Sequence, residues 1–375
     1  MRLTIATLAL VVYIAASLIW RLPCRSWMKI AIGCALLVVG SKFILYDKIG
    51  GSFINPDLPL VLLLIMEWLY NTMIILAFLL LIKDSLSLLL LISRWLGTSW
   101  HLPFTPAVRG AGLLCMALFL AIFGLWQFMR VPDVHTVEIP LPGLPAELDG
   151  FAIVQLTDTH IGPLLKKNAW MQEVVKKTNA LAADLVVLTG DMIDGSPETL
   201  RNDIAPLQAL RARHGVYGIT GNHEYYVGVQ QWLPVFKDLG IVMLHNDYRT
   251  LSVQGKNLVL VGIPDQVALR FGETGPDYKF LHTLPEGTRV LLHHRPSGVP
   301  DLDGIALQLS GHTHGGHLFF LKWLVASFND GFVDGLYDVG GTKLYVSSGT
   351  GAWAGFACRL GVPAEIAHII LRRQE

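Results

Sequence analysis

Charge is scarce in this chain: Asp, Glu, Lys and Arg make up 15% of 375 residues, against 52% hydrophobic side chains. A soluble domain carries nearer a quarter charged residues, so part of the sequence reads as built for lipid. Acids and bases balance at 29 each, and zero net charge leaves no electrostatic footprint for a nucleic-acid partner. Cysteine is sparse too. Cys24, Cys34, Cys115 and Cys358 show no Cys-x-x-Cys spacing, which argues against a disulfide framework and against a zinc-thiolate site. Internal repeats and low-complexity tracts are not evident.

The apolar excess is confined to about the first 130 residues. Leu3 to Trp20 and Ile30 to Tyr46 are uncharged except for Lys42, and Gly112 to Met129 carries no charge. Each is long enough to cross a hydrocarbon core of roughly 30 Å. Leu58 to Ile92 is interrupted by Glu67 and Lys83-Asp84; it reads as a span over Leu58 to Ile82, with Ser85 to Leu96 continuing it or lying in the interface. The expectation is a membrane domain over residues 1–130 with about four transmembrane helices. A removable signal peptide fits poorly, because the second apolar segment follows at once with no small-residue cleavage pattern. Arg21, Arg25 and Lys29 lie between the first two spans, and Lys83, Arg94 and Arg109 between the last two. That bias places both loops in the cytoplasm and the rest of the chain on the periplasmic or extracellular face. A fifth crossing would reverse this. Glu67 is expected to pair with Asn71 or to lie near a helix junction.

Residues 131–147 carry Pro132, Pro140, Pro142 and Pro145 and read as a linker, within which His135 to Leu141 could form an edge strand. Residues 148–375 have the mixed composition of one globular domain. Short apolar runs at Phe151–Leu156, Leu185–Leu188, Val216–Ile219, Ile241–Leu244, Leu258–Val261, Arg289–Leu292, Ala306–Leu309, Lys343–Val346 and His368–Leu371 predict strands. Helical patterns at Asn168–Ala180, Pro197–Arg213 and Val229–Leu239 alternate with the earlier ones. The fold class is α/β, with helices outside two packed sheets.

Thirteen histidines are unevenly placed. A subset joins acidic and amide residues in five clusters that follow apolar runs: Asp158-Thr-His160, Gly190-Asp191, Gly221-Asn-His-Glu224, His293-His-Arg-Pro296 and Gly311-His-Thr-His-Gly-Gly316. Carboxylate, imidazole and amide groups gathered at strand ends suit a binuclear metal centre. Residues two apart on an extended segment share a face, so Asp158 with His160, and His312 with His314, can each serve one site. Asp-x-His and Gly-Asp alone are ordinary turn chemistry. Gly-Asn-His-Glu and Gly-His-Thr-His are far rarer, and all five in order point to one shared site.

These clusters resemble the motif series of the calcineurin-like metallophosphoesterase superfamily, and the resemblance spans Asp158 to His314. The apolar front end, the His294-Arg-Pro296 form of the fourth motif and the Ser347–Gly351 tail resemble its bacterial membrane-associated YkuE-like branch. The resemblance implies a four-layer α/β/β/α sandwich behind the membrane helices, in a bacterial inner or cell membrane. It implies a metal-dependent phosphoester hydrolase in which Asp158, His160 and His314 hold one divalent ion, Asp191 bridges, and Asn222, His294 and His312 hold the second. Manganese, iron and zinc suit these donors about equally. In-line attack by a hydroxide shared between the ions, with His223 protonating the leaving oxygen, would hydrolyse a phosphomonoester or phosphodiester.

Around that set, Glu224 is a candidate to orient His223, and Arg295 and Arg359 are candidates to clamp a phosphate. The H-x-P pattern selects His294 over His293, which becomes a supporting or packing residue. His317 reads as a loop histidine within possible reach of substrate. The other partner expected is the lipid bilayer. Two further readings stand beside the leading one: a lipid-linked pyrophosphate or nucleotide-lipid substrate, motivated by the membrane half, and a catalytically silent membrane sensor or scaffold with a structural metal site.

Overall fold

The computed structural model describes residues 2–162, 167–299 and 302–374. The chain forms two compact units, one of residues 1–127 with 355–358, the other of residues 128–354 with 359–375.

The first unit holds α1 (Arg2–Ser17), α2 (Ser26–Gly40), α3 (Lys42–Ile49), α4 (Leu60–Trp95) and α5 (Pro106–Met129). Among the described residues three helical stretches are long and apolar enough to cross a membrane, Thr4–Arg21, α4 and α5; α2 and α3 make a fourth only as a broken pair, bent by 63°. The sequence predicts one span over Ile30 to Tyr46, and the structure breaks it at Ser41. The carbonyl of Gly40 is taken by the Thr7 hydroxyl at 2.7 Å, while the amide of Ile44 turns back to Ser41. The α-ladder therefore lapses for one turn. The bend carries Lys42 inward, where its ammonium meets both carboxylate oxygens of Glu67 at 2.8 and 3.0 Å and the Gly355 carbonyl at 2.7 Å. Tyr46 donates to the same carboxylate. Glu67 thus pairs with Lys42 rather than with Asn71, whose amide donates to the Ala357 carbonyl. An unpaired carboxylate in an apolar interior is costly, and a cation 25 residues away in sequence answers it. Helix α4 is continuous over 36 residues. At 1.5 Å per residue it runs about 54 Å, so Ser85 to Trp95 continue the helix past the thickness one crossing needs.

The second unit is built on β1 (Asp133–Pro142), β2 (Ala152–Leu156), β3 (Leu185–Leu188), β4 (Val216–Gly218), β5 (Val242–Met243), β6 (Asp247–Val253), β7 (Lys256–Gly262), β8 (Thr288–Leu292), β9 (Leu307–Ser310), β10 (Gly335–Val339), β11 (Thr342–Val346) and β12 (Glu365–Gln374). They form two six-stranded sheets in the orders β1-β12-β2-β3-β4-β5 and β10-β11-β9-β8-β7-β6. Strands β2, β3, β4 and β5 are mutually parallel, as are β7, β8, β9 and β11.

Alternation along the strands sorts side chains to opposite faces. Ile153, Leu185 and Val187 from one sheet meet Leu260, Val290, Leu292 and Leu309 from the other in the central core. The outer face of the first sheet, Val154, Leu156, Val186 and Leu188, is covered by α6 (Asn168–Ala180), α7 (Pro197–Ile204) and α9 (Val229–Asp238), with the short α8 (Asn222–Tyr226) before α9. On the second sheet Val259, Val261 and Leu291 lie under Leu281, Leu284 and Ile305, carried by 3-10 turns and loops. Helix α7 is shorter than the predicted Pro197–Arg213 because Pro206 disfavours α geometry before it, and residues 205–209 tighten to a 3-10 turn. The 131–147 stretch, read as a linker, contains edge strand β1, paired in parallel with β12 along its whole length. Strands β6 and β10 go unread in the sequence. Each lies at a sheet edge with only part of its side chains buried, so its apolar alternation is faint.

Candidate metal centre

The five clusters sit immediately beyond β2, β3, β4, β8 and β9, the carboxyl ends of parallel strands, where crevices form in α/β sheets. Their backbone is not extended. Asp158 (φ 54°), His160 (44°), Asp191 (54°), His312 (72°) and His314 (50°) all lie in the left-handed region. The same-face argument for residues two apart therefore does not bring these donors together; tight left-handed turns do. Such a conformation is uncommon outside glycine and persists only where the surroundings impose it. Two glycines let the turns touch. A Cβ on Gly221 would overlap the Asp191 carboxylate, and one on Gly311 would overlap Asp158 and the Thr157 hydroxyl.

Donor atoms of Asp158, His160 and His314 lie within 4.8 Å of one another, as do those of His160, Asp191 and His223, and those of Asp191, His294 and His312. His160 Nε2 is 3.8 Å from Asp158 Oδ1 and 3.7 Å from Asp191 Oδ2. His314 Nε2 is 3.7 Å from Asp158 Oδ1, and His294 Nε2 is 3.2 Å from Asp191 Oδ2. The outward nitrogens are committed: His160 Nδ1 to Asp194 at 2.9 Å and His294 Nδ1 to the Thr189 carbonyl at 2.8 Å. Those bonds turn Nε2 of both rings inward, as metal-ligating imidazoles are held. Both buried Nε2 atoms lack a hydrogen-bond partner among the described residues. Buried polar atoms are normally satisfied, so inward ring nitrogens beside carboxylates fit a set that receives cations.

Protonation follows the same imbalance. Burial alone would lower His160, but Asp194, Asp158 and Asp191 outweigh it and lift the imidazole to about 10. His294 is likewise lifted to about 10 against its burial, chiefly by Asp191. Asp191 is held well below the usual carboxylate range despite burial, by His294, His223 and His160. His312 and His314 are pushed well down, first by burial, then by the positive charge of Arg295 and of His317 respectively. The acids thus favour positive charge at two of the rings, while burial and neighbouring cations favour the neutral form of the other two.

His223 Nδ1 is 2.6 Å from Asp194 Oδ1. The sequence reading offers Glu224 for orienting this ring; the structure puts Asp194 there. Glu224 instead accepts from the backbone amides of Asp191, Met192 and Gly221 at 3.0, 2.7 and 2.7 Å, binding the second and third loops together. Burial and the nearby Asp191 push it up to about 7. Asp194, three residues after Asp191, joins a metal-ligand candidate to the leaving-group-acid candidate. Its spacing in Gly190-Asp-Met-Ile-Asp194 is the one sequence signal for it.

Arg295 donates from Nε to the buried carboxylate of Asp265 at 2.7 Å, and its other nitrogens reach His312 Nε2 at 3.1 Å and Asn222 Oδ1 at 3.4 Å. Its charge is aimed at the centre by a residue not singled out in the sequence, although Asp265 also follows a strand. Arg359 differs. It is fully buried, and its guanidinium donates to the carbonyls of Ser348, Gly351, Gly349, Val362 and His314. Those bonds hold the 348–351 tail in place and leave no fork turned to a phosphate. His293 is buried, which pushes it down to about 4. His317, read as a loop residue, is buried with its ring 4.8 Å from that of His314.

The model of the calcineurin-like phosphoesterase family matches residues 151–316. A bovine (Bos taurus) transmembrane protein with metallophosphoesterase domain is 35% identical over 285 residues, 71% of this chain and 63% of that protein. An uncharacterized metallophosphoesterase of Campylobacter jejuni is 35% identical over 268 residues, 69% of this chain and 68% of that one. The uncharacterized metallophosphoesterase YkuE of Bacillus subtilis is 30% identical over 228 residues, 58% of this chain and 77% of that one.

Proposed function

This chain belongs to the calcineurin-like phosphoesterase family, and from that premise we propose that it is a membrane-anchored, metal-dependent hydrolase of phosphomonoesters or phosphodiesters. The observation that carries the reading is the position of Asp191, whose carboxylate joins the His160 group to the His294–His312 group. Asp158, His160 and His314 would hold one divalent ion and Asn222, His294 and His312 a second, with Asp191 between them. Such ions supply acidity to water and polarise phosphoryl oxygens near neutral pH. Mixed imidazole and carboxylate donors suit manganese, iron or zinc better than the all-oxygen chemistry of calcium.

The remaining work falls to this chain's own side chains. His223, with Nδ1 fixed on Asp194, presents Nε2 to the leaving oxygen. As the ester P–O bond breaks and a water oxygen bonds to phosphorus, that nitrogen delivers the proton the leaving group needs, with Asp194 holding the ring in orientation. Arg295, locked on Asp265, offers N–H donors and a fixed charge to a phosphoryl oxygen. Tyr226 and Trp353, with ring centroids 5.2 and 6.0 Å from that of His223, support an aromatic wall beside the leaving group. Lysine and arginine in the loops after α1 and before α5 favour placing this unit on the periplasmic or extracellular face if α2 and α3 together cross once.

The test is purified full-length protein assayed by elemental analysis and by turnover of soluble aryl phosphomonoesters, phosphodiesters and detergent-dispersed lipid phosphates. Stoichiometric transition metal with turnover abolished by chelation and restored by manganese, iron or zinc supports the reading. Turnover unaffected by complete metal removal sinks it.

A further inference from the structure

Three neighbouring cavities in the first unit share lining residues. A polar one of about 240 Å³ is lined by Arg21, Lys83 and Arg109 with the hydroxyls of Ser17 and Ser87. It shares Leu18, Leu22, Ala107 and Gly110 with a cleft of about 390 Å³ whose lining is apolar except for Thr72. It shares Lys83 and Arg109 with a second cleft of about 410 Å³ walled by Leu79, Leu86 and Phe104. Both clefts fall within the roughly 300–1,000 Å³ typical of small-molecule sites.

The charge in the polar cavity is unbalanced. Asp84 is paired with Lys83 at 2.8 Å and takes the hydroxyls of Tyr13 and Ser17. Among the described residues Arg109 donates only to the neutral carbonyls of Leu102, Pro103 and Phe104. Neither it nor Arg21 has a carboxylate partner among the described residues. Three bases face one acid at the meeting point of two apolar clefts, between helices that are otherwise built for lipid.

We propose that the first unit binds one anionic diacyl glycerophospholipid, its phosphate head among Arg21, Lys83 and Arg109 and one acyl chain in each cleft. Free phosphate would satisfy the bases and leave both clefts unfilled. A zwitterionic lipid would fill the clefts and bring no net negative charge to the bases. Basic pockets between membrane helices recognise anionic headgroups on this basis. The inference rests on α1, α4 and α5 lying in a bilayer and is independent of the phosphoesterase chemistry.

Native mass spectrometry of the full chain in mild detergent, titrated with phosphatidylglycerol or phosphatidylcholine of matched chains, tests it. One phosphatidylglycerol should bind at least about tenfold more tightly, and inorganic phosphate should not displace it. The variant Arg21→Gln/Lys83→Gln/Arg109→Gln should lose the preference, while Arg21→Lys/Arg109→Lys keeps it. Turnover of a soluble aryl phosphodiester reports whether each variant folds, and single Arg21→Gln and Arg109→Gln changes serve if the triple does not. Equal affinity for the two lipids, displacement by phosphate alone, or a folded glutamine variant that keeps the preference overturns the proposal.

Discussion

Both units bury charge, and they close the account of it differently. In the first, Lys42 and Glu67 are fully buried against each other, with a tyrosine hydroxyl and a backbone carbonyl completing the shell. In the second, the carboxylates of Asp158 and Asp191, from two loops, face His160 and His294, whose inward nitrogens have no hydrogen-bond partner among the described residues. A finished cluster needs nothing more and holds helices together; an unfinished one marks where something is received.

The comparison breaks most visibly at Asp191. Replacing it by Ala should remove metal from the centre and lower turnover by at least about a thousandfold, as read by elemental analysis and steady-state rates. In the first unit, Lys42→Met should leave Glu67 unpaired and cost about 3–5 kcal/mol of stability in detergent unfolding, whereas Lys42→Met with Glu67→Met should recover most of it. If the single and double variants unfold alike, the pair is not the closed unit described.

His293 sharpens the comparison through pH. Its folded value of about 4 lies below the ordinary 6.5, so the unfolded chain binds a proton first as pH falls. The stability this neutral ring contributes is present above pH 6.5 and is lost towards pH 4, at most about 3 kcal/mol. His293→Phe should flatten the unfolding free energy across that window. The smallest effect belongs to Arg295→Gln, which should raise KM for a phosphodiester about tenfold with metal content unchanged. An Asp265→Asn variant with the same KM shift would identify the carboxylate as what aims the guanidinium.

The candidate site was more legible in sequence than its surroundings. Ligand candidates announce themselves because glycines and histidines at fixed spacing are rare by chance, and the buried strands because both faces are apolar. What stayed hidden depends on partners far apart in the chain. Lys42 is interpretable only once Glu67 is beside it, and Asp194 only once two histidine rings converge on it. Arg359 is a candidate phosphate clamp by its charge, and only the fold shows its guanidinium committed to five carbonyls. The left-handed turns at Asp158 and His312 contradict the extended geometry that first suggested the same grouping.

The placing of β12 constrains how the second unit is made. It lies between β1 and β2, and β1 has no other neighbour in the sheet among the described residues. A ribosome therefore finishes all five candidate-site loops before this sheet can close, because residues 365–374 must emerge first. Until then β1 and β2 offer bare edges to any passing strand, so the nascent domain is most open to misassembly just before residues 365–374 are synthesised.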